Sequence, residues 1–184
     1  MLGTTWNVQV QEGLVMKVSS QEEYGSRCLV RLARAGEGAS LTIPEISQAE
    51  GLSIPYVAKL MRVLRQSGFV KSVRGQAGGY SLARPAEQIV MGDLLAALGG
   101  RLYEPEFCRQ HAGTMKNCLN TTDCSIRPVW QTVQIAVDQV LNKMTLQDLR
   151  QSEQAMTAWT SNMVKAAELR GETPNSPPGL GAER

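Results

Sequence analysis

The stretch that decides the fold is TIPEISQAEGLSIPYVAKLMRVLRQSG, residues 42–68. Thr42 and Glu45 form a capping-box pattern, which predicts a short helix that Gly51 ends. Ser53 stands where it caps a second helix, whose apolar residues recur at helical spacing until another glycine ends it. Two short helices joined by a tight glycine turn are typical of a helix-turn-helix unit, the second helix of which enters the major groove of DNA.

A glycine-rich hairpin is predicted directly after this unit. Residues 69–73 and 80–82 form short strand-like runs, joined by a turn that contains Arg74, Gly78 and Gly79. Taken alone, such a turn is usually only a hairpin. After a recognition helix it is typical of a wing, in which Arg74 enters the minor groove and the glycines let the backbone approach phosphates.

The distribution of charge supports nucleic-acid binding more than the total charge does. The formal net charge is +2, which is too small to argue for DNA binding. One region is nevertheless basic throughout and contains no Asp or Glu, with Lys59, Arg62, Arg65, Lys71, Arg74 and Arg84. The core stripe of the second predicted helix leaves Tyr56 and Lys59 free, so we expect both to face DNA.

Length and composition indicate one ordinary globular chain. Its 184 residues, 42% hydrophobic and 20% charged, suffice for one core and an oligomerisation arm. No stretch has the pattern of a signal peptide or a membrane-spanning helix, which predicts a cytoplasmic protein without a membrane partner. In a reducing compartment, clustered cysteines more often hold a metal or sense redox state than form disulfides.

The remaining patterns predict further helices. Ser20 and Glu23 form a capping box that opens a helix ending near Gly36, with Cys28 on its apolar side as a core residue. A long apolar stripe needs a partner, for which we expect the same helix of a second subunit: Ile126, Val129, Trp130, Val133, Val137, Val140, Leu141 and Met144. The capping box of Thr145 and Asp148 predicts a fresh helix that runs through residue 159 toward residue 169.

These patterns predict a mainly α fold with a small β-hairpin wing, in which a winged helix-turn-helix domain precedes a long dimerisation helix. We divide the chain into an N-terminal extension (1–15), the winged helix-turn-helix domain (16–100), a cysteine loop (101–125), the dimerisation and C-terminal helices (126–170) and a disordered tail (171–184).

The cysteine loop has the residues of a metal site. Cys108, Cys118 and Cys124 share it with the single histidine, His111, and thiolates on one flexible segment can wrap a soft metal ion or an iron-sulfur cluster. Three sulfurs leave the site one ligand short. His111 is the local choice by spacing, although a surface histidine in a polar loop is an equal reading. A zinc staple or a reactive dithiol would use the same thiols.

The chain resembles the Rrf family of bacterial winged-helix transcription regulators, which includes iron-sulfur and nitric-oxide sensors. The resemblance is carried by MKVSSQEEYG (16–25), LSIPYV (52–57), VRGQAGGY (73–80) and DCSIRPVW (123–130). It implies a homodimer that binds a palindromic double-stranded DNA operator. Bases would be read through Ser53, Tyr56 and Lys59, with Arg74 in the minor groove.

The same resemblance implies the cofactor. The three cysteines correspond to ligands of an iron-sulfur cluster, with 2Fe-2S favoured over 4Fe-4S. Relatives with a histidine three residues after the last cysteine use it as the fourth ligand, but Arg127 stands at that position. Relatives that lack it take an acidic residue from the partner subunit, which corresponds to Glu23 here. The competing reading is that Glu23 only completes the Ser20 capping box.

Overall fold

The computed structural model describes residues 18–75, 78–112 and 114–169. The predicted extension (1–15) and tail (171–184) lie outside these residues. The elements are α1 (Ser20–Ala35), α2 (Ile43–Glu50), α3 (Ile54–Gln66), β1 (Val70–Val73), β2 (Gly79–Leu82), α4 (Met91–Gly99), α5 (Phe107–Gln110), α6 (Ile126–Leu141) and α7 (Glu153–Leu169), with 3-10 turns at Ala86–Gln88 and Asp148–Arg150. A mainly helical chain with one antiparallel hairpin confirms the predicted fold class.

Helix α1 begins one residue earlier than predicted. Ser19, not Ser20, is the N-cap, and its hydroxyl accepts a hydrogen bond of 3.2 Å from the backbone N–H of Glu22. The Glu22 carboxylate in turn accepts one of 2.7 Å from the Ser19 N–H. The sequence SSQEE contains two overlapping capping boxes, and the earlier one lengthens the helix by a residue. Glu23 is therefore not the capping residue, and it lies exposed in the first turn.

Helices α2 and α3 form the predicted helix-turn-helix. Thr42 and Glu45 make the complete capping box, and Gly51 ends α2 in the left-handed conformation with φ at 67°. Ser53 occupies the N-cap of α3, but its hydroxyl accepts no capping hydrogen bond. One face of α3 is fully buried in the core through Val57, Leu60, Met61 and Leu64.

The hairpin of β1 and β2 is tied to the segment before α2. The two strands pair antiparallel, with Val73 opposite Gly79. Leu41 adds a β-bridge to Tyr80, in which their backbones exchange hydrogen bonds of 2.9 and 2.8 Å. A side chain at Gly79 would overlap the backbone of Leu41, so this glycine is needed for the close approach of the two segments.

The core of the N-terminal unit includes residues that follow α6. The backbone N–H of Met91 donates to the carbonyl of Met144 at 2.9 Å, and the N–H of Leu146 donates to that of Ile89 at 2.8 Å. Leu146 is fully buried. The chain therefore leaves the unit after α4, makes the cysteine segment and α6, and returns. Cys28 lies fully buried in the same core, as predicted.

The C-terminal helix begins later than predicted. Thr145 donates to the Asp148 carboxylate from both its N–H, at 2.8 Å, and its hydroxyl, at 2.7 Å. This box opens only a 3-10 turn, because Gln151 is extended, with ψ at 171°, and interrupts the helical path. Helix α7 starts afresh beyond Ser152, whose hydroxyl accepts from the Ala155 N–H. None of the helices in the described ranges is long and apolar enough to cross a membrane.

Candidate nucleic-acid interface and cysteine segment

The free face of α3 presents polar and basic side chains. Ser53, Lys59, Arg62 and Arg65 are exposed. The Ser53 hydroxyl, which caps nothing, is available to a partner such as a base edge. The exposed positions of Ser53 and Lys59 agree with the sequence-based expectation, and their contact with DNA stays a prediction.

Tyr56 is only half-exposed. Its ring meets that of Tyr24 on α1 edge to face, with centroids 6.0 Å apart. The ring thus packs between the two helices, and the residue as a whole is only partly buried. A role in packing was not anticipated from the sequence, which assigned Tyr56 to the DNA-facing side alone.

The wing carries exposed cations and tightly packed glycines. Lys71 and Arg74 are exposed, and the Gly78 N–H donates to the Gly75 carbonyl at 2.9 Å, closing the turn. A side chain at Gly78 would press on that same carbonyl. Gly78 and Gly79 are thus explained by the shape of the wing, and their approach to phosphates remains a prediction.

The basic region forms no ion pair among the residues that the structure describes. On α1, Arg27 and Arg31 both bind the carboxylate of Glu50, at 2.9 and 2.7 Å. By contrast, no basic residue from Lys59 to Arg84 takes part in an ion pair with any residue that the structure describes. Uncompensated cations on a helix face and an adjacent hairpin are the electrostatic footprint of a DNA-binding surface.

The cysteine segment contains three accessible thiols. Cys108 lies on α5, and Cys118 and Cys124 lie in the loop that follows; each is half-buried and unbridged. A short helix at α5 departs from the continuous loop that the sequence predicted. Across residues 18–75, 78–112 and 114–169, no three Cys, His, Asp or Glu side chains lie close enough to share a metal ion. The donors are chemically suited to iron, but they are not gathered around a centre.

Tyr103 lies beside the Cys108 thiol and was missed by sequence analysis. It is 6% exposed, and its phenol oxygen is 3.8 Å from the Cys108 sulfur. Burial raises the pKa of the Tyr103 phenol; the hydrogen bond and charge of Cys108 and the charge of Cys124 add to this, and Arg127 opposes them. Cys108 is therefore in contact with the buried phenol, and Cys124 and Arg127 are close enough for their charges to act on it. The aromatic character of Tyr103 in a mostly polar segment, shared with Phe107, is the one sequence signal that could have found it.

His111 is held by a neighbouring aromatic ring. Its imidazole stacks on Phe107 with centroids 4.0 Å apart, and its Nδ1 lies 3.0 Å from the Phe107 carbonyl oxygen. Nδ1 is therefore engaged, and Nε2 is the nitrogen left for a metal or water. The exposed position of His111 fits both readings that the sequence left open.

Arg127, which stands three residues after the last cysteine, has a structural role. Its guanidinium donates to the backbone carbonyls of Asn120 and Thr121, at 2.8 and 3.1 Å. These bonds tie the loop between the last two cysteines to the first turn of α6.

The first turn of α1, which contains Glu23, lies against the end of α4. The Gln21 side-chain amide donates to the Leu98 carbonyl, and the Glu22 side chain packs on Gly99. The cysteine segment begins just beyond Gly99. Glu23 is exposed beside this junction, and among the described residues it forms no metal-binding group with the thiols.

Helix α6 exposes a largely apolar surface. Its exposed side chains include Ile126, Val129, Trp130, Ile135 and Val140, between 45% and 55% accessible. Val133 and Val137 of the predicted stripe are half-buried. A helix with this much exposed apolar area is typical of a subunit interface.

Comparisons with known proteins agree on one family. Residues 18–152 match the family model Rrf2, described as iron-dependent transcriptional regulator. Protein rrf2 of Nitratidesulfovibrio vulgaris is 36% identical over 73% of this chain and 87% of its own length. The structure of CymR, the global cysteine regulator of Bacillus subtilis, is similar with a TM-score of 0.59 and 30% identity, over 74% of this chain and 97% of CymR. IscR of T. potens is similar with a TM-score of 0.57 and 30% identity, over 89% and 94% of the two chains.

Proposed function

The chain belongs to the Rrf2 family of transcriptional regulators, and from this premise we propose that it binds an operator as a homodimer and responds to a signal through its cysteine segment. It is a regulator and not an enzyme, so the dithiol redox protein considered from the sequence is excluded. The observation that carries the proposal is the basic face of α3 and the wing, whose cations form no ion pair with any described residue, on the scaffold shared with relatives.

The proposed DNA contacts follow from exposure. Ser53, Tyr56 and Lys59 face the major groove, and Arg74 reaches the adjacent minor groove. Two copies joined through α6 would present two α3 helices, which suits a palindromic operator.

Operator binding tests this proposal. Sites are selected from a random DNA library with the full-length protein, and affinities are then measured for wild type, Lys59→Ala and Arg74→Ala. Each substitution should weaken the selected site by roughly 1–3 kcal/mol, and Lys165→Ala, far along the chain on α7, should not. Equal affinity in all four proteins would refute the assignment of the DNA-binding face.

We further propose that Cys108, Cys118 and Cys124 hold an iron-sulfur cluster. Three half-buried thiols on one segment are a suitable donor set, and IscR is among the similar proteins. A cluster supplies an electron-accepting group whose oxidation state or loss can be sensed. As the sequence suggested, 2Fe-2S is favoured over 4Fe-4S, because the fourth ligand is not a cysteine.

Glu23 of the partner subunit is the proposed fourth ligand, with His111 as the alternative. The finding that Glu22 makes the capping box frees Glu23 for this role. A carboxylate is a hard ligand that leaves iron more readily than a thiolate, which suits a reversible sensor.

Anaerobic purification with iron and sulfide analysis and visible spectra tests the cluster. Glu23→Ala should retain iron but alter the spectrum. Its matched control, Glu22→Ala, should cost about 0.5–2 kcal/mol of stability through the lost cap and leave the spectrum unchanged. A changed spectrum in His111→Ala but not in Glu23→Ala would place the fourth ligand within one chain.

A cluster-free or zinc-stapled regulator of the same fold is the second candidate. The described thiols are not gathered around a centre, and CymR, a cysteine regulator by its name, is also similar. A colourless protein with one zinc ion per chain, or no metal, would favour this candidate.

A further inference from the structure

Gln134 is the buried polar side chain of α6, and both ends of its amide are engaged. It is 8% exposed. Its Oε1 accepts a hydrogen bond of 2.9 Å from the backbone N–H of Tyr103, and its Nε2 donates one of 2.9 Å to Asp138. Asp138 also forms an ion pair with Arg101. The start of the cysteine segment is thus fastened to α6 through Arg101 and Tyr103, the two residues that flank Leu102.

Tyr103 touches the cysteine site with its other end. Its backbone is fixed to Gln134, while its phenol oxygen is 3.8 Å from the sulfur of Cys108. Its ring also packs against Phe107, with centroids 5.9 Å apart. One buried residue therefore connects a candidate ligand to the helix that exposes the apolar surface.

We propose that Tyr103 and Gln134 are positioning residues that couple the state of Cys108 to helix α6. A change at the Cys108 sulfur displaces the phenol, and the attached backbone N–H then moves relative to Gln134. Because that N–H is buried, water cannot replace its acceptor, so the displacement is passed to α6 rather than absorbed locally. The biological meaning of this coupling rests on the proposed function, but the mechanical link does not.

The link from Cys108 through Tyr103 and Gln134 continues beyond α6 in two directions, because this helix has both a free apolar face and a contact with α4. Its exposed apolar face is where a second copy would dock, and its C-terminal end runs into Met144, whose carbonyl accepts from Met91 at the start of α4. A movement of α6 therefore reaches both the dimer contact and the core beneath the DNA-binding face. This route requires no contact between the thiols and DNA.

Hydrogen–deuterium exchange of the full-length, metal-free protein tests the link, with N-ethylmaleimide as the probe. Alkylation in wild type should raise the exchange of α6 amides around Gln134 by several-fold. Cys108→Ser should lack this response and Cys118→Ser should retain it. Gln134→Ala should show the raised exchange before alkylation, whereas the control Gln139→Ala, on an exposed position of the same helix, should behave as wild type.

Tyr103→Phe decides the matter if Gln134→Ala fails to fold. It preserves the ring packing and the backbone hydrogen bond, and removes only the contact with sulfur. The α6 response to alkylation should fall to less than half of the wild-type value. An undiminished response in Tyr103→Phe, or no response in wild type, would overturn the proposal. If the wild-type protein shows the α6 response but does not bind an operator, that result would instead count against the proposed function.

Discussion

The rings of Tyr24 and Tyr56 meet nearly at right angles, with an interplanar angle of 83° and centroids 6.0 Å apart. This contact joins α1 to α3. Edge-to-face aromatic pairs contribute about 0.5–1.5 kcal/mol beyond their buried area. A residue predicted to read bases therefore also fixes the recognition helix against its neighbour, and the two roles can be separated by substitution.

Tyr56→Phe should retain the ring pair and lose only the hydroxyl. We expect its free energy of unfolding to remain within about 0.5 kcal/mol of wild type. If the hydroxyl contacts a base, operator affinity should fall by about 1 kcal/mol. Tyr56→Ala should lower both quantities. Urea unfolding and fluorescence anisotropy on labelled operator measure them; weakened stability with unchanged DNA affinity in Tyr56→Ala would leave Tyr56 with a packing role only.

Lys71 and Lys59 should differ in how they affect DNA binding. Lys71 lies exposed on β1, where we expect it to meet phosphate, so Lys71→Ala should weaken binding to all sequences and reduce the salt slope by about 1. Lys59→Ala should weaken the operator more than random DNA. The affinities of both variants for the operator and for random DNA are measured across a salt series. Base reading by Lys59 would be contradicted if each variant, Lys59→Ala included, lost as much affinity for random DNA as for the operator.

Gly79→Ala should destabilise the wing. The new side chain would overlap the Leu41 backbone, at a backbone angle of φ 156° that disfavours a side chain, and overpacking of this kind costs roughly 1–3 kcal/mol. Gly38→Ala is the control, because φ is 73° there and the space is open, so only about 1 kcal/mol should be lost. Thermal unfolding of both variants measures the difference between their losses of stability. This difference should vanish if the Leu41 backbone shifts easily to make room for the new side chain.

Val137→Asp should disfavour the proposed dimer. A carboxylate in an apolar contact loses hydration without gaining a partner, which costs about 2 kcal/mol or more and raises the dissociation constant at least tenfold. Gln139→Asp introduces the same charge at an exposed position of α6. Light scattering across micromolar concentrations compares them, and a Val137→Asp protein that remains as dimeric as wild type would show that α6 packs elsewhere.

Cys28 should make stability fall at high pH. Burial, followed by the charge of Glu50 and opposed by Arg27, raises the pKa of the Cys28 thiol from 9.0 to about 11. Between pH 9 and pH 11 the unfolded chain has released this proton while the folded chain still holds it. The free energy of unfolding is therefore fully retained below pH 9 and falls as the pH rises through 11. The loss by pH 10.5 should be about 2 kcal/mol. Cys28→Ala should show a shallower decline in urea unfolding, and identical slopes would refute the assignment.

Local signals in the sequence located much of this fold. The Thr42 box, the stop at Gly51 and the glycine-rich wing depend on neighbouring residues, and these elements appear where expected. The cap of α1 was displaced because Ser19 and Ser20 both fit the same pattern, and only the folded chain selects between them.

Contacts between distant residues could not be predicted in this way. The hydrogen bond from Tyr103 to Gln134 joins positions 31 residues apart, and the local sequence around either residue does not predict it. The sequence did group the three cysteines on one segment, but spacing alone does not determine whether they close around a centre. Whether His111 or Glu23 acts as the fourth ligand likewise depends on the path of the loop and on the position of the partner subunit, rather than on residue type.

The return of Leu146 to the N-terminal core has a consequence for how the protein is made. A ribosome that has released only the first hundred residues has produced α1 to α4 without the apolar side chain and backbone bonds that complete their packing. The core can close only after the cysteine segment and α6 have also emerged. Nascent chains therefore acquire the full DNA-binding core only when the cysteine segment is already present.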